Sequence, residues 1–261
     1  EGQLYVLSPN LELVLKLEER SRLSGIMGIM HWDQEVMMPK GSADTRAKQM
    51  ASLAGVLHEK STCQEMGGIL YKLVGVGVDK FTKTEWCNIN EAKREFDLAT
   101  KIPIVLVKEL AELSSRGHQV WAKAREDNRF EDFAPTLGRL IDLKIKWAEY
   151  AFPDLEPYDA NLDIYERGMN IKKLTPIFEK LKNELIPLIK SIKNSEVKPD
   201  ASFLEGKFSI DKQESLAKSI SHDIGFDFNK GRMDVSVHPF CGGSHPTDVR
   251  ITTRYRTDNF I

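Results

Sequence analysis

Apolar residues recur three and four positions apart over most of the first 195 residues, and this is the spacing of amphipathic helices. The first such stretch runs from residue 11 to about residue 32. Pro39-Lys40-Gly41 interrupts the pattern, and Ser42 after it is a suitable N-cap for a second helix. Continued along the chain, the pattern predicts at least six helices before residue 195.

Local signals place several of these helices. Thr82-Lys83-Thr84-Glu85 has the form of a capping box, in which the first and last side chains bond each other's backbone N–H groups. Pro103 suits the first turn of the next helix. Residues 132–151 carry one apolar face and residues 171–193 another, and within the second stretch Pro187 predicts a kink.

The pattern changes near the C-terminus. After a polar connection, Asp211-Lys212-Gln213-Glu214 repeats the capping pattern for a short helix to about residue 224. Residues 233–238 and 248–255 then alternate apolar and polar, with turn residues 241–246 between them. We therefore predict an antiparallel hairpin with one face on the helices. Its other face carries polar side chains, namely Asp234, Ser236, His238, Asp248, Arg250, Thr252 and Arg254.

The predicted fold is mostly α, a helical scaffold with a small antiparallel β-hairpin near the C-terminus. With 261 residues, of which 41% are hydrophobic, the chain is long enough for one large core or two closely packed subdomains. Residues 1–195 are expected to form the helical N-terminal region. Residues 196–261 are expected to form a short helix and a hairpin that is part of a cleft wall.

Charge and cysteine content narrow the function. The 37 basic and 39 acidic side chains nearly balance, so we expect neither nucleic acid nor a membrane as partner. Three scattered cysteines without a CxxC pair favour a reducing, cytoplasmic compartment. The most apolar stretch, residues 66–78, is interrupted by glycines and Lys72 and is too short to cross a bilayer.

The polar strand pair has more than one interpretation. It fits a solvated sheet edge whose charges prevent association, and it also fits a wall that faces a ligand. His238, His245 and Asp248 are of the residue types that bind zinc. The chain has no HxH or HExxH spacing, so we expect no metal site. The motifs of serine hydrolases, P-loop proteins and dinucleotide-binding turns do not occur either.

Two motifs in this region resemble a known family. His238-Pro239-Phe240 followed by Asp248-Val249-Arg250-Ile251-Thr252 is similar to the HPF and DxRxT signatures of the carboxypeptidase Taq family, zinc metallocarboxypeptidases of the HExxH class. Trp32-Asp33-Gln34-Glu35 with Met38-Pro39, then Arg46 and Gln49, and residues 158–163 resemble the N-terminal region of that family. The resemblance covers residues 11–261.

The resemblance implies an almost wholly helical fold with a deep cleft and a small sheet on its rim. It implies removal of single residues from peptide C-termini, zinc or cobalt as cofactor, peptides as substrates and pairing into homodimers. In the family, the HExxH helix, the third metal ligand and the residues that hold the substrate carboxylate follow the DxRxT motif. All would lie beyond Ile261, so we expect no catalytic residue and no metal in this chain.

The resemblance also implies roles for the strand residues. His238 and Arg250 would hold substrate or neighbouring carboxylates, and Asp248 would orient a catalytic group. The remaining members would add hydrogen bonds or shape the hairpin end, namely Thr252, Tyr255, Pro239 and Phe240. Asp248 and Arg250 as a purely structural pair remain an alternative.

Upstream, Trp32 and Met38 are interpreted as core residues. Asp33, Glu35 and Arg46 are candidates for an ion-pair cluster that joins two helices.

The functional hypothesis is the N-terminal part of a zinc metallocarboxypeptidase that ends before the HExxH motif and is inactive alone, because no metal-activated water is available to attack the peptide bond. The alternative is a non-enzymatic helical module, related to that family, that binds peptides or a protein partner.

Overall fold

The computed structural model describes residues 9–204 and 206–258. Within them, nine α-helices and a three-stranded sheet confirm the mostly helical fold. The ends of the two predicted regions, residues 1–8 and 259–261, lie outside the described residues. The helices are α1 Pro9–Val36, α2 Ala43–Thr62, α3 Gln64–Val76, α4 Lys83–Ala99, α5 Ile104–Glu126, α6 Phe130–Ala151, α7 Pro157–Tyr165, α8 Ile171–Asn194 and α9 Ile210–Asp223. The strands are β1 Gly231–Val235, β2 Cys241–His245 and β3 Asp248–Thr253.

Several predicted helix starts are confirmed and one is wrong. The capping box at α4 is complete, with the Thr82 side chain accepting from the Glu85 N–H and the Thr82 N–H donating to the Glu85 carboxylate at 2.8 Å. Pro103 directly precedes α5, and Ser42 directly precedes α2 without a side-chain capping bond. The capping pattern predicted at Asp211 is wrong, because α9 begins at Ile210 and Asp211 lies in its first turn.

The strand pairing also differs from the prediction. In the sheet order β1-β3-β2, β3 is central, parallel to β1 and antiparallel to β2. An antiparallel hairpin is present, but it joins β2 to β3 through Pro246-Thr247. The predicted antiparallel pairing of residues 233–238 with 248–255 is wrong, since these segments run parallel, and the residues assigned to a turn form β2.

Two glycines explain why the turn-like sequence can form a strand. Gly243 has φ +152°, and a Cβ there would lie 2.3 Å from the Asp248 carbonyl oxygen, so a larger residue does not fit. Gly25 on α1 brings helix and strand together, since its Cβ would lie 3.0 Å from the Ser244 carbonyl oxygen. Strand β2 is therefore defined by its contact with α1, and strand propensity contributes little.

Two hydrophobic clusters hold the helices. One lies between α1, α3 and α4, and the other lies between α5 and α6 together with the segment before α5. The first consists of Leu13, Met66, Ile69, Leu70, Leu73, Ile89, Ala92 and Phe96. The second consists of Ile102, Leu106, Leu143 and Ala151. Among the described residues, no helix has the length and apolar character needed to cross a membrane.

Replacing Leu70 by alanine should lower the free energy of unfolding by about 2–5 kcal/mol, because the side chain is fully buried and its loss leaves a cavity. The matched control is Val105→Ala on α5, whose side chain is 71% exposed. Denaturant-induced unfolding of the two variants and the parent protein measures both changes. Equal losses in the two variants would contradict this packing.

Candidate functional site

The buried hydroxyl of Thr252 fixes the turn that carries the HPF residues. It accepts hydrogen bonds from the Phe240 N–H at 2.7 Å and from the Ser236 hydroxyl at 2.8 Å. The Thr252 N–H in turn donates to the Phe240 carbonyl at 2.8 Å. Ser236 and Thr252 are each only 5% exposed. The expectation that both line an open polar face is wrong, because these hydroxyls bond each other inside the sheet.

Asp248 and Arg250 form a bidentate ion pair on β3. Arg250 Nε donates to Asp248 Oδ1 at 2.6 Å, and a terminal nitrogen donates to Oδ2 at 3.0 Å. The Ser244 hydroxyl also donates to this carboxylate at 3.0 Å. The bond from Arg250, supported by that from Ser244, lowers the pKa of Asp248 below its ordinary value. The alternative in which the two residues form a structural pair agrees with this geometry.

Two guanidinium groups lie over the ring of Trp32 on α1. The Cζ of Arg250 is 4.3 Å from the ring centroid and that of Arg232 is 4.9 Å from it. Arg232 and Arg250 face each other across β1 and β3, where like charges repel. Each is neutralised by its own aspartate, since Arg232 donates twice to Asp234 at 2.7 Å. The arginine-bearing face of the sheet therefore packs on α1, where the Trp32 ring forms cation–π contacts with both guanidinium groups.

The residues next to Trp32 contact other elements. His31 packs on Phe240 with ring centroids 5.9 Å apart. Arg46 of α2 bonds the Asp33 carboxylate at 2.5 Å and the Met30 carbonyl at 2.7 Å. The predicted ion-pair cluster is thus confirmed for Asp33 and Arg46.

The two following residues of α1 bind α5. Buried Gln34 accepts a hydrogen bond from the Ser115 hydroxyl. Glu35 does not join the cluster with Arg46, because its carboxylate lies 2.9 Å from His118 Nε2.

A cleft of about 660 Å³ opens between the end of α1, the second half of α5 and the segment after β1. Its lining includes Gln34, Glu35, Met38, His118, Arg125 and Val237. On α5, residues 118, 121 and 125 follow at spacings of three and four and so share one face. The next residue after Val237 is His238, whose exposed ring lies edge-on to Trp121 at 6.3 Å. The HPF turn therefore stands beside this cleft.

Two residues that line the cleft have polar atoms that the described residues leave unbonded. Glu35 Oε1 and His118 Nδ1 are buried and have no hydrogen-bond partner among the described residues, and the same is true of Trp32 Nε1, which lies outside the lining. The Glu35 side chain is only 4% exposed. The Arg125 guanidinium lies 5.3 Å over Trp121 and forms no ion pair with a described residue. Buried polar atoms normally bond protein or ordered water, so these atoms can bond water or a ligand that enters the cleft.

The predicted site residues divide into three groups. Asp248, Arg250 and Thr252 lie within the sheet on α1, whereas His238, Pro239 and Phe240 form the turn beside the cleft. Tyr255 is not brought together with them. Its hydroxyl lies 3.8 Å from Met233 Sδ, and burial, with the Glu214 carboxylate of α9, raises its pKa.

The described residues do not fit the metal that the family resemblance implies. No three histidine, cysteine, aspartate or glutamate side chains among them come together as a metal site. The trio considered from the sequence is not assembled, since His245 bonds Thr247 while His238 lies beside Trp121. A zinc site of His238, His245 and Asp248 is therefore wrong. The three cysteines are free.

Sequence reasoning missed His118, Trp121 and Arg125 of α5, and also Arg232 of β1. Each is a single residue within a regular element, with no motif around it. Spacing along α5 was the one available signal, because residues three and four apart share a helix face. It could not show that this face meets the end of α1.

Comparison with known proteins identifies the architecture. The sequence model of Carboxypeptidase Taq (M32) metallopeptidase matches residues 12–261. This chain belongs to that family. The family resemblance drawn from the HPF and DxRxT residues is thereby confirmed.

Individual relatives agree with the carboxypeptidase Taq family. Carboxypeptidase 1 of Bacillus subtilis is 33% identical over 244 residues, which are 94% of this chain and 48% of the relative. Thermostable carboxypeptidase 1 of Thermus thermophilus is 35% identical, over 93% of this chain and 49% of the relative. The solved structure of Pyrococcus furiosus carboxypeptidase superimposes with a TM-score of 0.82 at 28% identity, covering 99% of this chain and 52% of that one. This chain spans about half the length of these relatives.

Replacing Thr252 by valine should lower the free energy of unfolding by about 1–3 kcal/mol, because the Phe240 N–H and the Ser236 hydroxyl lose a buried partner. Thr253→Val is the matched control on the same strand, since the Thr253 side chain forms no hydrogen bond with a described residue. Chemical denaturation compares the variants. A loss as large for Thr253→Val would show that the buried hydroxyl is not responsible.

Asp248→Asn should make the protein less stable at neutral pH and less sensitive to acid. The folded-state pKa of Asp248 lies below its ordinary value of 3.8, so its stabilising effect is present above 3.8 and is lost as the pH falls through the folded-state pKa. Unfolding measured from pH 7 to pH 2 should show the two proteins converging at the acid end. Asp154→Asn, at an exposed site without an ion pair to a described residue, is the control. A difference that is constant over the whole pH range would exclude this linkage.

Proposed function

We propose that this chain forms the cleft wall of a metallocarboxypeptidase that removes C-terminal residues from peptides, and that it does not hydrolyse peptides alone. The observation that carries the proposal is the wall itself. The Thr252 hydroxyl bonds the Phe240 N–H of the HPF turn, and Arg232 and Arg250 of the sheet contact the ring of Trp32 on α1. These contacts hold the turn beside the cleft. The described residues include no group that would hold the metal of such an enzyme.

The cleft suits a peptide. In its lining, Arg125 forms no ion pair with a described residue and Glu35 has an unbonded carboxylate oxygen. The ring of Trp121 lies under the Arg125 guanidinium, beside the cleft. A peptide backbone has donors, acceptors and a terminal carboxylate that such groups recognise. His238 and Arg250 are proposed as the wall residues nearest to substrate or to carboxylates of the catalytic part.

The remaining features of the complete enzyme are also proposed. Zinc or cobalt would polarise the peptide carbonyl and activate water, and residues outside this chain would hold that metal. A homodimer is the proposed assembly. The scattered free cysteines support a cytoplasmic protein.

One observation favours a second function, a peptide- or partner-binding module without catalysis. The cleft with the unbonded Glu35 and His118 atoms is formed by residues of this chain without any other part of the fold. A ligand with N–H or O–H donors therefore has a place to bind. Calorimetry with a peptide panel separates the two functions. Binding that is reduced in Glu35→Gln and unchanged in Glu126→Gln at the exposed rim would support the module.

The purified chain should release no C-terminal amino acid from a blocked dipeptide. The described residues form no metal site, so no metal is held that could activate a water. The assay is run with chelator, with added zinc and with added cobalt. Bacillus subtilis carboxypeptidase 1 is the positive control. Metal-dependent turnover that persists through several purification steps would refute the proposal.

A further inference from the structure

Helix α8 presents a long apolar stripe that the described structure leaves uncovered. None of its residues is buried. The stripe side chains from Ile177 to Ile192 are 42–61% exposed, and Leu174 at its start is partly buried. The stripe consists of Leu174, Ile177, Phe178, Leu181, Leu185, Leu188, Ile189 and Ile192. Soluble proteins rarely expose continuous apolar areas of this kind, and where they do, the areas mark contact surfaces.

The stripe is confined to one side of the helix. At about 100° per residue, its eight members fall within an arc of roughly 120°. Pro176 and Pro187 are both inside α8, and the same geometry places them on the opposite side, together with Asn183. Apart from Ile186, which lies outside the arc, the large apolar side chains and the charged side chains occupy different sides of α8, as in a helix that covers a core.

The prolines indicate which way α8 is meant to curve. A proline inside a helix removes a backbone hydrogen bond and bends the helix, with the proline on the outer side. Helices that wrap a protein core are convex toward solvent. With both prolines opposite the stripe, bending brings the apolar side chains onto the concave side, where a packed neighbour belongs.

The start of α8 is held by two side-chain hydrogen bonds. The Asn170 side chain caps the helix by accepting from the Lys173 N–H at 2.9 Å. Asp159 of α7 accepts from the Ile171 N–H at 2.8 Å. The helix therefore begins at a defined place beside α7, and its stripe runs from there.

The length of a related structure indicates what this neighbour could be made of. A solved structure named BsuCP superimposes on 97% of this chain with a TM-score of 0.92, yet this chain covers only 50% of it. A carboxypeptidase Taq fold therefore contains a second half of similar size. We propose that the stripe of α8 is the docking surface for the half of the fold that this chain does not match. The inference rests on the proposed function, because it assumes that the wall works with that half.

The experiment is co-expression of the tagged chain with the part of Bacillus subtilis carboxypeptidase 1 that lies outside the matched 48%. The amount of this part that co-purifies is measured. The stripe variant is Leu181→Asp with Leu185→Asp. Asn183→Asp is the matched control, since it adds a carboxylate between them on the opposite side. Circular dichroism verifies that helix content is equal.

The parent chain and the Asn183→Asp variant should retain equal amounts of the Bacillus part. The stripe variant should retain at most roughly a tenth of that amount, because a carboxylate is costly in an apolar contact. Failure of the parent chain to retain it, or equal retention by all variants, would overturn the proposal. Two further results would overturn it if retention is unchanged in the stripe variant. One is a homodimer, measured by sedimentation, that the stripe variant dissociates. The other is binding to anionic vesicles that the stripe variant loses, which is tested because α8 has six lysines and two glutamates.

Hydrolysis of a blocked dipeptide by the purified pair is measured separately. Retention through the stripe without hydrolysis would refute the proposed function and leave the docking surface intact. Equal hydrolysis by the parent pair and the stripe-variant pair would refute the docking surface and leave the proposed function intact.

Discussion

Helical geometry at the end of α1 is the constraint on which the rest of the structure depends. Successive residues on a helix point about 100° apart, so five consecutive side chains face all around the axis. In α1 these five side chains contact four neighbours, namely the HPF turn, the sheet, α2 and α5. The pairs are His31 with Phe240 of the HPF turn, Trp32 with Arg232 and Arg250 of the sheet, Asp33 with Arg46 of α2, and Gln34 and Glu35 with Ser115 and His118 of α5. One helix end therefore sets the positions of the sheet, α2 and α5, and with them the cleft.

This arrangement solves an electrostatic problem. Packing the charged face of a sheet on a helix removes charges from water, and that is costly unless they are paired. Arg232 and Arg250 each bond an aspartate two residues away on the same strand, and residues so spaced lie on the same face. The aromatic ring of Trp32 then contacts two neutralised pairs in place of two bare cations. Of the charges that fitted a solvated edge, Asp234 and Arg250 are thus largely buried, whereas Arg232 is 47% exposed.

Local patterns predicted what is local in the fold. The capping box at Thr82 and the helical periods needed only residues three or four apart, and the structure agrees with them. The strand pairing depended on something the period of two does not contain, the contact of β2 with α1 at Gly25. Ser236 and Thr252 were placed on an open face because both are polar, whereas their mutual bond permits burial. Of the candidate site, the HPF and DxRxT residues were found through a family resemblance, and the isolated residues of α5 were not.

The bonds already made in the wall decide which of its groups remain free to bond a ligand or another part of the fold. Thr252 is fully engaged with Phe240 and Ser236, so it positions the turn and has no free donor. A guanidinium has five N–H donors, and Asp248 takes two of those on Arg250. The His238 side chain is exposed and forms no hydrogen bond with a described residue. His238 and the remaining N–H groups of Arg250 and Arg232 therefore still have donors available, while Asp248, Asp234 and Thr252 hold these groups in place.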